Sequence, residues 1–269
     1  MKAWLLPILV LLVVLALLFP RSLPRLFRKA GRQVGDIGRM GRELATGEEI
    51  DQSPLAKYEV KAGELVAMRV LAENPVASDP AMQEHVRAIG ARIAEHTLRR
   101  QIPYRFTVVE AKEPNAFAVP GGSVFVTRPL VELCQGDVNA LACVLGHEVV
   151  HIDQRHAIRS LAARTAARTG FQVLTLGRGA ILGRLAGGMQ ELIVQGYRQD
   201  QELEADLYGA RLARIAGFDP HGIIALLQRL AEICPDGRVP LTELSQYFKS
   251  HPPTSVRLEK LRAALGTAS

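Results

Sequence analysis

Two histidines stand one turn apart in a strongly apolar helical stretch, and the fold has to accommodate them. Apolar residues recur at helical spacing after Gly136-Asp137, namely Leu141, Val144, Leu145, Val149 and Ile152. His147, Glu148 and His151 lie among them. We expect these three polar side chains to be largely buried, and burial without partners is costly. The rest of the chain must therefore supply partners for them.

The spacing His-Glu-x-x-His is typical of a zinc site. His147 and His151 project from one helical face, so their imidazoles can bind one zinc ion. Glu148 lies about 100° round the helix. It can therefore accept a proton from the water that zinc activates without binding the metal itself. A surface helix that carries two histidines is the alternative, and the apolar neighbours disfavour it.

A catalytic zinc site needs a third protein ligand and an open position. The metzincin pattern is excluded, because Gln154 and Ala157 occupy the places of its glycine and third histidine. His156 is one residue short of that place, and we expect it either at the surface or beside a ligand histidine.

An acidic helix downstream offers the third ligand. Glu202 and Asp206 are four residues apart, on one face of a helix that we predict from about residue 198 to 216. Glu202 can bind the metal while Asp206 accepts the spare N–H of a ligand histidine. Glu204 faces away from that side. A solvated acidic start of a helix is the competing interpretation.

Together the motifs resemble a known family of metallopeptidases. They are the HExxH at 147–151, ExEAD at 202–206, AGFDP at 216–220, NAFAVPGG at 115–122 and HPPTSVR at 251–257. Their combination is similar to the HtpX and CAAX prenyl endopeptidase type of gluzincin. A single hydrophobic span favours the BepA-like envelope branch. The resemblance covers about residues 60–265.

The resemblance implies a fold, a cofactor and an activity. The fold would be α+β, a mainly helical zincin-type domain with a small sheet beside the HExxH helix. One Zn²⁺ per chain would be bound by His147, His151 and Glu202, with Glu148 as general base and Asp206 behind a ligand histidine. The substrates would be proteins or peptides, unfolded or misassembled ones included. A non-proteolytic, zinc-containing chaperone or scaffold is the alternative.

Two further roles are hypotheses. The segment before Pro120-Gly121-Gly122 is expected to be a strand that lines the cleft and pairs with substrate backbone, through Asn115, Ala116, Phe117, Ala118 and Val119. His251 is expected near the metal. It would steady the tetrahedral oxyanion or block the open position as a fourth ligand, and a helix-capping turn is a third reading.

Other segments predict the remaining architecture. We expect a helix from Ser78-Asp79-Pro80 to about Arg99, strands over 104–111, 115–119 and 123–127, and a helix after Asp219-Pro220. Residues 161–196 predict a helix and an apolar connector, with a membrane-facing lid as the alternative. The three cysteines are expected to be small buried hydrophobes, although Cys134 and Cys143 could pair in an oxidising compartment.

The N-terminus predicts membrane attachment. Residues 3–19 are an unbroken apolar run, so we expect an uncleaved anchor over 1–20, with a signal peptide as the alternative. A basic linker, 21–59, suits anionic lipids, and the metallopeptidase domain would be 60–269. The charge bias favours a cytoplasmic domain, whereas the family resemblance favours the periplasm or envelope. The net charge of +6 comes without a nucleic-acid module, so no nucleic-acid partner is expected.

Overall fold

The structure is mainly helical with one small sheet, and it confirms the α+β prediction. It is a computed structural model that describes residues 54–161, 178–233, 251 and 255–266. The helices are α1 (Pro54–Glu73), α2 (Pro80–Ala94), α3 (Arg128–Leu133), α4 (Val138–Asp153), α5 (Arg178–Gln195), α6 (Gln199–Ile215), α7 (Gly222–Ile233) and α8 (Ser255–Leu265). The strands are β1 (Arg105–Val109), β2 (Ala116–Val119) and β3 (Ser123–Thr127).

Some predictions lie on other parts of the chain. The anchor over 1–20, most of the basic linker, Cys234 and residues 162–177 of the segment predicted over 161–196 are outside the described residues. The domain boundaries therefore stay predictions. None of the helices within the described ranges is both long and apolar enough to cross a bilayer.

The sheet has the strand order β1-β3-β2, which leaves β2 at one edge. β1 and β3 run parallel, while β2 and β3 form an antiparallel hairpin. Gly121 and Gly122 connect the hairpin strands with φ angles of +97° and +107°, which residues with a Cβ rarely adopt. The predicted strand-turn-strand is confirmed, and it places β2 against α4.

Helix α4 is the centre of the core. Asp137 caps its start by accepting hydrogen bonds from the backbone N–H groups of Asn139 and Ala140. Every residue from Ala140 to Ile152 is buried, because α2, α6, α7 and the sheet surround the helix. The site histidines are therefore held by an element that is packed on all sides.

Two predicted details change. Helix α2 ends at Ala94 rather than near Arg99. Arg99 therefore lies beyond the helix, where its buried guanidinium binds both carboxylate oxygens of Glu59 on α1, at 2.9 and 3.2 Å. Cys134 and Cys143 are free and buried, as predicted for small hydrophobes, and burial raises the pKa of both thiols to about 12.

Helices α4 and α6 cross at two glycines. A Cβ on Gly146 would lie 2.7 Å from the carbonyl oxygen of Gly209, and one on Gly209 would lie 2.6 Å from the backbone nitrogen of His147. In both cases the neighbouring atom belongs to the backbone, which cannot move aside as a flexible side chain can. Only glycine therefore permits this approach, which brings α6 close to the site histidines.

We predict that Gly209→Ala destabilises the chain by about 1–3 kcal/mol, because the added methyl overpacks the crossing. Urea unfolding of the full-length chain, followed by circular dichroism, measures the loss. Gly187→Ala on the exposed part of α5 is the control, since no atom lies within 4 Å of its added Cβ. It should stabilise the chain by about 0.5–1 kcal/mol. Equal stability of Gly209→Ala and wild type would contradict the close crossing.

Candidate metal centre

Four buried side chains converge on one point. His147, His151, Glu202 and His251 each offer a ligand atom, and these atoms lie within 4.8 Å of one another. The Nε2 atoms of His147 and His151 are 3.0 Å apart. One Glu202 oxygen lies 3.4 Å from His151 Nε2, and the other lies 3.6 Å from His147 Nε2. The structure thus brings together the three predicted ligands and His251.

Three parts of the chain supply these side chains. The two histidines come from the middle of α4, and Glu202 comes from the first turn of α6. His251 precedes α8, and its Nδ1 lies 2.9 Å from Glu202 Oε2 and 3.3 Å from His147 Nε2. His151 and Glu202 are 51 positions apart in the sequence, and the glycine crossing of α4 and α6 brings them together.

The donor set fits a metal ion. Three imidazoles and a carboxylate are nitrogen and oxygen donors of the kind that zinc binds. Within the described residues, Glu202 Oε1 and Glu148 Oε2 are buried atoms without a hydrogen-bond partner. Unsatisfied buried carboxylate oxygens are costly, and a cation held among Glu202 and the imidazoles would relieve that cost for Glu202.

Electrostatics within the cluster are strong. Burial opposes ionisation of Glu202, but the neighbouring His251 and His151 hold its pKa well below the usual range. Burial likewise opposes a charge on His251, yet Glu202 and Glu148 outweigh it and raise the pKa to about 9. Burial lowers the pKa of His151 to about 3 and raises the pKa of Glu148. An anionic Glu202 facing neutral His151 is the protonation pattern of metal ligands, whereas His251 with its raised pKa would have to lose a proton before it could bind a metal.

Glu148 and His251 meet the edge of the sheet. Asn115 and Thr127 exchange hydrogen bonds within the hairpin, so by alternation the backbone groups of Ala116 and Ala118 point away from β3. The Ala116 carbonyl lies 3.3 Å from His251 Nε2, and the Ala118 backbone bonds to Glu148. All four residues of β2 lie in register with β3, but of the five predicted strand residues only Ala116 and Ala118 turn their backbone groups toward the site. The backbone of Asn115 bonds to Thr127 instead, and Phe117 and Val119 hold the alternate positions that face β3.

Asp206 lies behind His147, where the sequence predicted it. Its Oδ1 is 3.0 Å from His147 Nδ1. Arg257 from α8 donates two hydrogen bonds to the same carboxylate, at 2.6 and 2.7 Å. Burial would raise the pKa of Asp206, but Arg257 outweighs burial and lowers it. Local sequence patterns predict no role for Arg257, whose only signal is its place in the HPPTSVR motif.

His151 is surrounded on its other side. His156 is fully buried, so its predicted surface position is wrong and the alternative beside a ligand histidine is what the structure has. The Nδ1 atoms of His156 and His151 are 2.8 Å apart. Tyr197 stacks on His151 with ring centroids 4.0 Å apart, a contact that no local sequence pattern predicts. Glu204 faces away from the four-residue cluster, as predicted, and contacts His156.

Comparison with known proteins agrees with this geometry. The model of peptidase family M48 matches residues 80–265, a range that includes every site residue named above. The beta-barrel assembly-enhancing protease of Escherichia coli is 29% identical over 186 residues, which are 65% of this chain and 38% of that protein. The chain thus spans less than half of that relative.

Shorter relatives match as well. Metalloprotease LoiP of Escherichia coli is 29% identical over 165 residues, 60% of this chain and 62% of that protein. The mitochondrial metalloendopeptidase OMA1 of Schizosaccharomyces pombe is 28% identical over 168 residues, 62% of this chain and 48% of that protein. The family resemblance of the sequence is confirmed, and the chain belongs to peptidase family M48.

Proposed function

We propose that this chain is a zinc-dependent metalloendopeptidase that cleaves unfolded or misassembled proteins in membrane or envelope quality control. One observation carries the proposal: a buried set of three imidazoles and a carboxylate, with Glu148 beside it, in a chain of a peptidase family. Peptide hydrolysis needs these parts, namely ligands for one metal ion and a carboxylate that can take a proton.

In this proposal His147, His151 and Glu202 hold one zinc ion. A bound zinc ion would polarise the scissile carbonyl and activate water for attack. Glu148 accepts the proton of the attacking water and returns it to the leaving amine. Its raised pKa suits a group that must take up and release a proton. Asp206, fixed by Arg257, keeps the His147 ring oriented.

His251 acts as a latch in this proposal. Its Nδ1 faces Glu202 and His147, where a fourth ligand would lie, and its Nε2 faces the Ala116 carbonyl. Both ring nitrogens are therefore engaged, and the position that a catalytic metal site keeps open is filled. The stabilisation of an oxyanion would instead need an N–H that points into a free space.

We also propose that substrate backbone adds to the outer edge of β2 and displaces the contacts that this edge makes with His251 and Glu148. Extended peptides bind at sheet edges through main-chain hydrogen bonds. The outward-facing groups of Ala116 and Ala118 are the ones such a peptide would use, and they lie directly beside Glu148 and His251. A peptide on this edge would run past the general base.

The membrane association of the chain is a proposal too. The apolar run over 3–19 would anchor it, and the basic linker would contact anionic lipids. The name of one relative, the beta-barrel assembly-enhancing protease, favours an envelope location. Extraction of washed membranes with alkaline carbonate checks the anchor, because release of the full-length chain into the soluble fraction contradicts it.

A zinc-containing chaperone or scaffold is the second candidate, and the filled fourth position favours it. Structural zinc sites are closed by four protein ligands. The two functions differ in whether the wild-type chain cleaves an unfolded protein such as casein at all. If it binds casein and prevents aggregation without cleaving it, even after His251→Ala, the second candidate replaces the first.

Glu148→Gln is predicted to keep one zinc ion per chain and to lower cleavage of casein by at least about 10²-fold, because it removes the proton acceptor and leaves the ligands. Metal analysis and a casein assay on the full-length chain test both parts. His147→Ala, which removes a ligand, is the control and should lose zinc as well as activity. Undiminished cleavage by Glu148→Gln would rule out its role as general base.

His251→Ala is predicted to raise casein cleavage. If the latched state dominates so that about a tenth or less of the molecules are open, the rise is on the order of tenfold. The initial rate of cleavage at saturating zinc measures it. A fall in rate would support the role at the oxyanion instead, and an unchanged rate would remove His251 from both roles.

Ala118→Pro is predicted to abolish peptide binding, because proline removes the outward N–H of the edge strand. Fluorescence anisotropy of a labelled casein peptide on Glu148→Gln chains separates binding from cleavage. Ala118→Gly keeps the N–H and loses only the methyl, so it serves as the matched control and should bind. Unchanged affinity of Ala118→Pro counts against addition at this edge.

A further inference from the structure

Two polar side chains, first His156 and then Glu204, extend the contacts of His151 away from the metal centre. Nδ1 of His151 lies 2.8 Å from Nδ1 of His156, and Nε2 of His156 lies 3.3 Å from a carboxylate oxygen of Glu204. His156 is fully buried, whereas the Glu204 side chain is 28% exposed. These contacts join the end of α4 to the face of α6 that points away from Glu202.

When His151 binds a metal and both imidazoles are neutral, only one arrangement of the ring protons satisfies these hydrogen bonds. His151 can bind a metal through Nε2 only if its ring proton is on Nδ1, which then donates. A neutral His156 must accept that hydrogen bond at Nδ1, so its own proton is on Nε2. Glu204 as a carboxylate is an acceptor only, and it takes the hydrogen bond from Nε2. An acidic group beyond His156 thus selects the tautomer of His151.

The fold holds His156 in place for this contact. Arg155 has a φ of 52°, a left-handed conformation that ends α4 and turns the chain back beneath His151. Its guanidinium Nε lies 3.4 Å from Glu59. Gln201 of α6 donates a hydrogen bond to the carbonyl of His156, at 3.4 Å, and accepts one from Ser160, at 2.9 Å.

We propose that His156 and Glu204 are positioning residues that keep His151 in the tautomer that binds metal. This rests on the proposed function, in which His151 is a zinc ligand. The two ligand histidines then have separate supports: a carboxylate paired with Arg257 behind His147, and an imidazole paired with Glu204 behind His151. Partners of this kind both orient a ligand ring and raise its basicity.

The test measures zinc affinity in the full-length chain by competition with a chromophoric chelator. His156→Leu should weaken zinc binding by about 10- to 100-fold, the usual cost of losing such a partner. His156→Asn should recover most of the loss, because its amide oxygen can accept from Nδ1 of His151. Glu204→Leu should also weaken binding, while Glu204→Gln, which keeps an acceptor, should weaken it less.

Asp200→Ala is the matched control on α6, since Asp200 is exposed and forms an ion pair with the exposed Arg198 rather than with a residue of the metal centre. It should leave zinc affinity unchanged. Nitrogen-15 NMR of the imidazoles adds a signature that packing alone would not move. In zinc-bound wild type, His151 should be protonated at Nδ1 and His156 at Nε2.

Several outcomes would overturn the inference. They are zinc affinity in His156→Leu equal to that of wild type, no recovery by His156→Asn, or a His156 proton on Nδ1. If His156→Leu fails to fold, Glu204→Leu decides, because its position is partly exposed. A wild-type chain that binds no zinc rejects the proposed function and this inference together, whereas tight binding in every variant rejects this inference alone.

Discussion

The close crossing of α4 and α6 is the constraint on which the site depends. Helix backbones approach this closely only where side chains are absent, and Gly146 and Gly209 provide that absence on both helices. The crossing sets the distance between the two histidines on α4 and the acidic residues on α6. A bulkier residue at either position would push the helices apart and separate Glu202 from His151, even with every ligand residue unchanged.

The crossing also gathers a costly set of polar groups. His147, His151, Glu148 and Glu202 are all at most 5% exposed, in a core that is otherwise apolar. Hydrogen bonds satisfy the outer side of this set, through Asp206 with Arg257 and through His156 with Glu204. On the inner side, imidazole nitrogens face one another and Glu202 Oε1 has no hydrogen-bond partner, and a single cation would satisfy both features.

Local periodicity was enough to predict the parts of the site that share a helix. His147, Glu148 and His151 follow from one helical pattern, and Glu202 with Asp206 from another. The hairpin followed from turn chemistry at Gly121 and Gly122. Periodicity could not find Arg257 or Tyr197, because their contacts depend on how distant segments pack. The early end of α2 could not be predicted in this way either, because Arg99 beyond it makes its contact with Glu59 on another helix.

The position of His251 connects metal access with substrate access. The same imidazole faces the metal ligands through one nitrogen and the edge of β2 through the other. Under the proposed roles, one movement of this residue would open the fourth position and free the Ala116 carbonyl together. A peptide that pairs with the strand must compete for that carbonyl, so substrate binding would favour the state with the open metal position. If His251 has this role, one side chain closes both positions, and they open together when it moves away.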